Sequence, residues 1–403
     1  MDLIVRNTLI HGKRKKMDIG IQEGKIIRIS SRIKESGRKE IDAKEGLTFP
    51  GFVDPHVHMD KSLLLGRIGK GQDFSTLEKK ISTMRELKRS FTVEDVKHRM
   101  IQAARMAASR GTTVTRTHVE ADPIVRFKCV QGALAARDAC RDLIDIQTIA
   151  FPQEGWLKNR DGSELESRPF IKEAIHRGLD VVGGNVNRSV WESDPEQQVD
   201  EIFAFAREKD ADIDLHLDNS DNPVAFTLPY VCKKTIEYGY QGRVTVAHIP
   251  SLRTVPDRVA RRTIDRIKEA GLHVCVLPSR IQLTRVRELM EAGVNVTCGT
   301  DNMQDAFVGV GNGDMLEAML LLAQVTQMGF DDELERIFAL GTTHAARALR
   351  IDHGYEIEEG KGADIVILDA PSAPEAIRHQ SRRRAVIKRG KVIVEGGRFV
   401  IDF

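Results

Sequence analysis

Two imidazoles stand two residues apart in Gly51-Phe52-Val53-Asp54-Pro55-His56-Val57-His58, at the end of an apolar run. On a β-strand alternate side chains share a face, so His56 and His58 can point together at one metal ion. The same spacing also suits an ordinary surface strand, and alone it decides nothing. Three later apolar runs end in residues of ligand type: Asp212-Ile213-Asp214-Leu215 in His216, Arg243-Val244-Thr245-Val246-Ala247 in His248, and Val294-Asn295-Val296-Thr297-Cys298-Gly299-Thr300 in Asp301. Four strand ends carrying His-x-His, His, His and Asp are hard to assign to packing alone.

Strands that alternate with amphipathic helical segments build parallel βαβ units. Strand patterns at 48–54, 112–117, 144–150, 179–184, 212–216, 243–247, 272–277 and 294–299 supply the eight strands of a (β/α)8 barrel within its usual length of about 250 residues. In that fold chemistry sits at the C-terminal strand ends, where the histidines and the aspartate lie. The helix expected at 92–109 opens on Thr92 as N-cap, with Glu94 and Asp95 in its first turn, and ends before Gly111. Others are expected at 129–142, 195–209, 226–238, 257–270, 283–292, 313–328 and 331–339.

The two ends of the chain read differently. Residues 2–30 and 364–401 alternate apolar and polar around turn signals, as short antiparallel strands do. An isolated hairpin is marginal in water, so the two ends are expected to pair into one small discontinuous β-sandwich domain. The expected boundaries are 1–50 and 351–403 for this domain and 51–350 for the barrel.

A chain of 403 residues with 41% hydrophobic content can bury a large core. No apolar run reaches membrane-span length, and Met1-Asp2-Leu3-Ile4-Val5-Arg6 lacks a signal-peptide layout, so a cytoplasmic protein without a membrane partner is expected. Five cysteines without C-x-x-C spacing read as ordinary buried thiols. A net charge of +2 makes no electrostatic case for nucleic acid, and Arg382-Arg383-Arg384 with Lys388 and Arg389 reads as a solvated strand face. Gly309-Val310-Gly311-Asn312-Gly313 has no following Lys-Ser/Thr and is no phosphate cradle.

Pro50 to His58, Thr115-Arg116-Thr117-His118-Val119, Ala150-Phe151-Pro152-Gln153-Glu154-Gly155, His216, Ala247-His248 and Gly299-Thr300-Asp301 together resemble the cytosine deaminase-like branch of the amidohydrolase superfamily. The resemblance extends to Gly360-Lys361-Gly362-Ala363-Asp364-Ile365-Val366 and so spans nearly the whole chain. It implies a distorted barrel, one Zn2+ or Fe2+, a homo-oligomer, and hydrolysis of a C–N bond. It makes His56, His58, His216 and Asp301 the metal ligands and places His248 beside the bound water. Neutral imidazoles with a carboxylate suit either ion, which lowers the pKa of bound water to about 7 and makes hydroxide available. Asp301 then takes the water's proton and His248 orients the developing oxyanion; a packing role is the alternative for His248. Binuclear relatives need a carboxylated lysine at the end of strand four, and Val181-Val182-Gly183-Gly184-Asn185 has none, so a single ion is expected.

The resemblance also carries a departure. Cytosine deaminases have a proton-shuttling glutamate three residues after the strand-five histidine, whereas this chain reads His216-Leu217-Asp218-Asn219. Asn219 can hydrogen-bond but cannot carry a proton, so either Asp218 or another group takes over, or the substrate needs no shuttle. Lys61 has an active-site counterpart in a triazine-hydrolysing member of the branch; an exposed loop lysine is the alternative. Gln153, at a strand-three end, stands where the resemblance places the residue that binds the amide edge of a pyrimidine ring; with one acceptor and two donors it matches a lactam-like C(=O)–NH face, or else bonds to loop backbone. Trp156, Asn302 and Phe307 are further pocket candidates, and His118 and Glu120 are placed behind the ligands. The expected function is mononuclear, metal-dependent removal of an exocyclic amine from a pyrimidine- or triazine-type heterocycle. The alternatives are a cyclic amidase of the hydantoinase or dihydroorotase kind and a non-catalytic barrel scaffold.

Overall fold

The computed structural model describes residues 1–157, 166–187, 194–219, 223, 226–278 and 283–401. The N-terminal strands are β1 (Leu3–Ile10), β2 (Met17–Gln22), β3 (Lys25–Ser30), β4 (Lys39–Asp42) and β5 (Leu47–Phe49). The barrel strands are β6 (Phe52–Val57), β7 (Thr112–Glu120), β8 (Asp145–Phe151), β9 (Val181–Val186), β10 (Asp212–Leu217), β11 (Val244–His248), β12 (His273–Val276) and β13 (Asn295–Cys298). The chain ends in β14 (Ile365–Leu368), β15 (Arg383–Lys388), β16 (Lys391–Glu395) and β17 (Arg398–Phe399).

Strands β6 to β13 pair in sequence order, every pair parallel, with helices between them. Their residues are almost wholly buried on both faces, as parallel strands covered by helices outside and side chains inside must be. The seam between the last and first strands is where the barrel departs from regularity. Strand β13 stops at Cys298, and the seam closes through Val57 and Asp301, with His58 N donating to Asp301 O at 2.8 Å and Asp301 N to His56 O at 2.9 Å. A Cβ on Gly299 would stand 2.8 Å from His56 O, so only glycine lets the chain cross here.

The helix Val93–Ser109 starts as expected, with Thr92 Oγ1 accepting from Asp95 N at 3.1 Å. The helices Leu77–Arg89 and Arg168–His176 were not anticipated. Strict strand-helix alternation leads one to expect a single helix between β6 and β7, and the chain inserts two.

The terminal strands form one hydrogen-bonded path, β17-β16-β15-β14-β5-β1-β2-β3, with β4 beside β1. They enclose their own small core of Leu3, Val5, Ile19, Ile21, Ile365, Ile367 and Ile387. The expectation of a solvated basic face fails at two positions. Lys388 is buried and bonds to Asp145 (2.7 Å), Asp364 (2.6 Å) and Thr113 O (3.0 Å), and buried Arg383 reaches Arg110 O (2.7 Å) and Asp314. Both act across the contact between this sheet and the barrel, where their charge is neutralised by barrel groups. All five cysteines are buried free thiols. Among the described residues no helix is long and apolar enough to cross a membrane.

Candidate metal centre and adjoining cavity

Each ligand-type side chain reaches the centre because its strand ends there. His56 and His58 leave the end of β6 on one face, His216 sits near the end of β10, His248 ends β11, and Asp301 follows β13 across the seam. All five are buried, the most exposed being His216 at 7%. The backbone turns sharply at the last two: φ is 71° at His248 and 65° at Asp301, and 48° at Asp218 after β10. Asp54 braces the seam, accepting from His56 N and Thr300 N, each at 3.2 Å, and from the Thr300 hydroxyl.

His58 Nε2 and His216 Nε2 lie 3.2 Å apart, and Asp301 Oδ1 is 3.7 Å from His56 Nε2 and 3.6 Å from His58 Nε2. Two ligand atoms on a tetrahedral zinc, each about 2.05 Å from it, are separated by about 3.3 Å. Burial, then the cationic Lys61, pushes the His58 imidazole well below its ordinary pKa, and burial, then neighbouring imidazoles, does the same for His216. Neutral imidazoles are the ligand form, so the residues present fit a divalent ion. His56, His216 and His248 form one trio with donor atoms within 4.8 Å of one another, and His56, His58 and His118 form a second. His118 stacks on His58 with ring centroids 4.6 Å apart, and its Nε2 stands 3.5 Å from Asp214 Oδ1.

His58 and His216 open onto a cavity whose wall also includes Lys61, Gln153, Asn219, Asn302 and Phe307. Two other expected wall residues lie elsewhere. Trp156 is fully buried and donates from Nε1 to Glu201 at 3.2 Å, so it packs against the neighbouring helix. Asp218 accepts from Thr227 N and Leu228 N at 2.8–2.9 Å, capping the helix Leu228–Glu237. Four wall residues were missed: Leu77 and Ile81, carried by the unanticipated helix, and Asn185 and Asn187, at and after the end of β9. The strand-end rule that found the histidines points equally to Asn185.

Lys61 is not an exposed loop lysine. It is 1% exposed, donates to Glu120 Oε1 at 2.8 Å and Gln153 Oε1 at 2.6 Å, and lies 5.4 Å and 5.2 Å from the ring centroids of Phe151 and Phe307. Glu120 Oε2 accepts from Lys88 Nζ at 3.0 Å, and Lys88 also meets Asp122 and Glu154, each at 2.6 Å. Arg85 closes the chain on the other oxygen of Glu154 at 2.6 Å. Burial works to lower the Lys88 amine, but the three carboxylates outweigh it and hold it well above the ordinary lysine value. Burial likewise works to raise Glu120, and Lys61 and Lys88 overcome it. The reading of Gln153 as a match for a lactam face also changes, because its oxygen is already bonded to Lys61.

The chain is 36% identical over 398 residues to N-isopropylammelide isopropyl amidohydrolase from Pseudomonas sp. (strain ADP), covering 98% of this chain and 97% of that protein. Its fold matches the crystal structure of 5-methylcytosine deaminase from Klebsiella pneumoniae liganded with 5-fluorocytosine, with a TM-score of 0.90, 28% identity, and 99% and 98% of the two chains covered. It also matches N-isopropylammelide isopropylaminohydrolase from Burkholderia multivorans ATCC 17616, with a TM-score of 0.88, 29% identity and 99% of both chains. With the amidohydrolase family model matching residues 76–394, a span that includes the strand ends carrying His216, His248 and Asp301, the chain belongs to the amidohydrolase family.

Proposed function

We propose that this enzyme removes an exocyclic amine from an oxo-substituted pyrimidine or triazine ring by hydrolysis, with a single Zn2+ or Fe2+ at the centre. The observation that carries it is the meeting of His56, His58, His216 and Asp301 beside a cavity walled by amides, a lysine and an aromatic ring. When bound, a divalent ion supplies Lewis acidity that makes hydroxide available from water at about neutral pH. Asp301 accepts the proton that the attacking water gives up. His248 orients the oxyanion that develops as the ring carbon is attacked. The leaving amine needs a proton, and Asn219, on the cavity wall, cannot bring one. The absence of a proton-carrying group at this position favours a substrate other than cytosine. The relatives named above support this substrate class.

The test is a screen of aminopyrimidines and N-alkylamino-triazines followed by amine release and ring absorbance together. Release with the ring intact supports the reading; ring opening without amine release shows a cyclic amidase instead. Purified protein is expected to hold close to one divalent ion per chain, because β9 offers no lysine for a second; elemental analysis showing two required ions would overturn this. Unmodified enzyme is expected to deaminate cytosine weakly. Asn219→Glu should raise that activity while lowering the native one. Vigorous cytosine turnover without the substitution would show that another group already moves the proton.

A further inference from the structure

We propose that Lys61 and Gln153 make a donor-only edge in the cavity, selecting rings that present two adjacent acceptors there. Such a pair is a carbonyl oxygen beside an unprotonated ring nitrogen, the pattern of an ionised lactam and of the O=C–N=C edge of a neutral amino-oxo heterocycle. This rests on the proposed function and deepens it by naming the ring edge that is recognised.

The argument begins with what an ammonium can bond. It has three N–H donors and no acceptor, so the group 2.6 Å from Lys61 Nζ must be the oxygen of the Gln153 amide and never its nitrogen. That contact fixes which way the amide faces. Its Nε2 donates to nothing among the described residues, while its backbone oxygen takes Asn185 Nδ2 at 3.1 Å and holds the segment in place. Lys61 is held in turn, because Glu120 grips it at 2.8 Å and Lys88 grips Glu120 at 3.0 Å. Gln153 therefore offers the cavity two N–H groups, and Lys61 offers its remaining one.

A neutral lactam would bring its ring N–H against these donors. That leaves buried donors facing each other without acceptors, the arrangement by which polar pockets discriminate most strongly. An ionised lactam brings an oxygen and a nitrogen that both accept, and its charge strengthens both bonds.

Two ring probes of nearly equal shape separate the cases. Uracil stays neutral around neutral pH, whereas 6-azauracil ionises there, and neither carries an amine to be removed. Calorimetric titration of the metal-loaded full-length enzyme should show 6-azauracil binding at least about fivefold tighter at about pH 8 than at about pH 6, following its ionised fraction. Uracil should bind equally at both. In Gln153→Glu, which is isosteric and keeps the Lys61 contact, one carboxylate oxygen replaces the N–H donors. The tightening of 6-azauracil should vanish and uracil should bind at least as well as before, a reversal that general damage would not produce. Lys61→Met should also abolish the tightening.

Affinity for 6-azauracil that is flat with pH would overturn the proposal. So would tightening that survives in Gln153→Glu, which would place the anion on the metal. The probes report binding alone, so failure to release amine from any aminoheterocycle would sink the proposed function and leave this result standing.

Discussion

Replacing Asp301 with Asn is expected to lower kcat by about 10²–10⁴-fold, the range for loss of a positioned general base. Asn is the informative replacement because it tolerates the left-handed backbone at this position, where φ is 65°. The seam bonds from His58 N to Asp301 O and from Asp301 N to His56 O use main-chain atoms and survive the change. What is lost is a charged oxygen 3.6–3.7 Å from two imidazoles. Steady-state kinetics should be read beside metal content, since the carboxylate is proposed both as ligand and as proton acceptor. Near-normal turnover at full metal occupancy would remove Asp301 from the mechanism.

The largest expected effect on stability is at Lys88. Lys88→Met deletes the cation shared by Glu120, Asp122 and Glu154, all of them buried. Breaking a buried ion pair by removing one partner costs about 3–5 kcal/mol, because the remaining charge has lost both water and counter-charge. For a chain of this length that corresponds to a fall in Tm of roughly 5 °C. Lys79 lies on the same helix and pairs with Asp73 in solvent, so Lys79→Met should stay within about 0.5 kcal/mol of the parent. Thermal unfolding of the two variants decides the matter, and equal losses would show that the buried cluster contributes little.

The barrel and its metal-ligand candidates were legible because both follow from short-range pattern. Apolar runs ending in His216, His248 and Asp301 are visible one strand at a time, and the strand-end rule of the fold does the rest. The structure begins most strands within two residues of the expected position and starts β6 later, at Phe52. The cavity wall was legible only in part. Ile81, Met84 and Lys88 share one helix face, but the helix was not expected between strands that a single helix could connect. Lys388 read as solvated and Lys61 was left open because lysine is seldom buried, and what reverses that rule is carboxylates brought close from distant segments. Trp156 and Asp218 were misplaced for a related reason. Proximity in sequence to a strand end does not say which way a side chain turns, and theirs turn to Glu201 and to the start of the helix Leu228–Glu237.

The positive φ angles at His248 and Asp301 have an evolutionary consequence. A non-glycine residue in the left-handed region costs on the order of 1 kcal/mol. Glycine would relieve that strain, but at either site it would delete a buried side chain and leave a cavity, which costs more. Drift toward glycine is therefore opposed by packing as well as by selection for turnover, and the two turns persist together with the groups proposed for the chemistry.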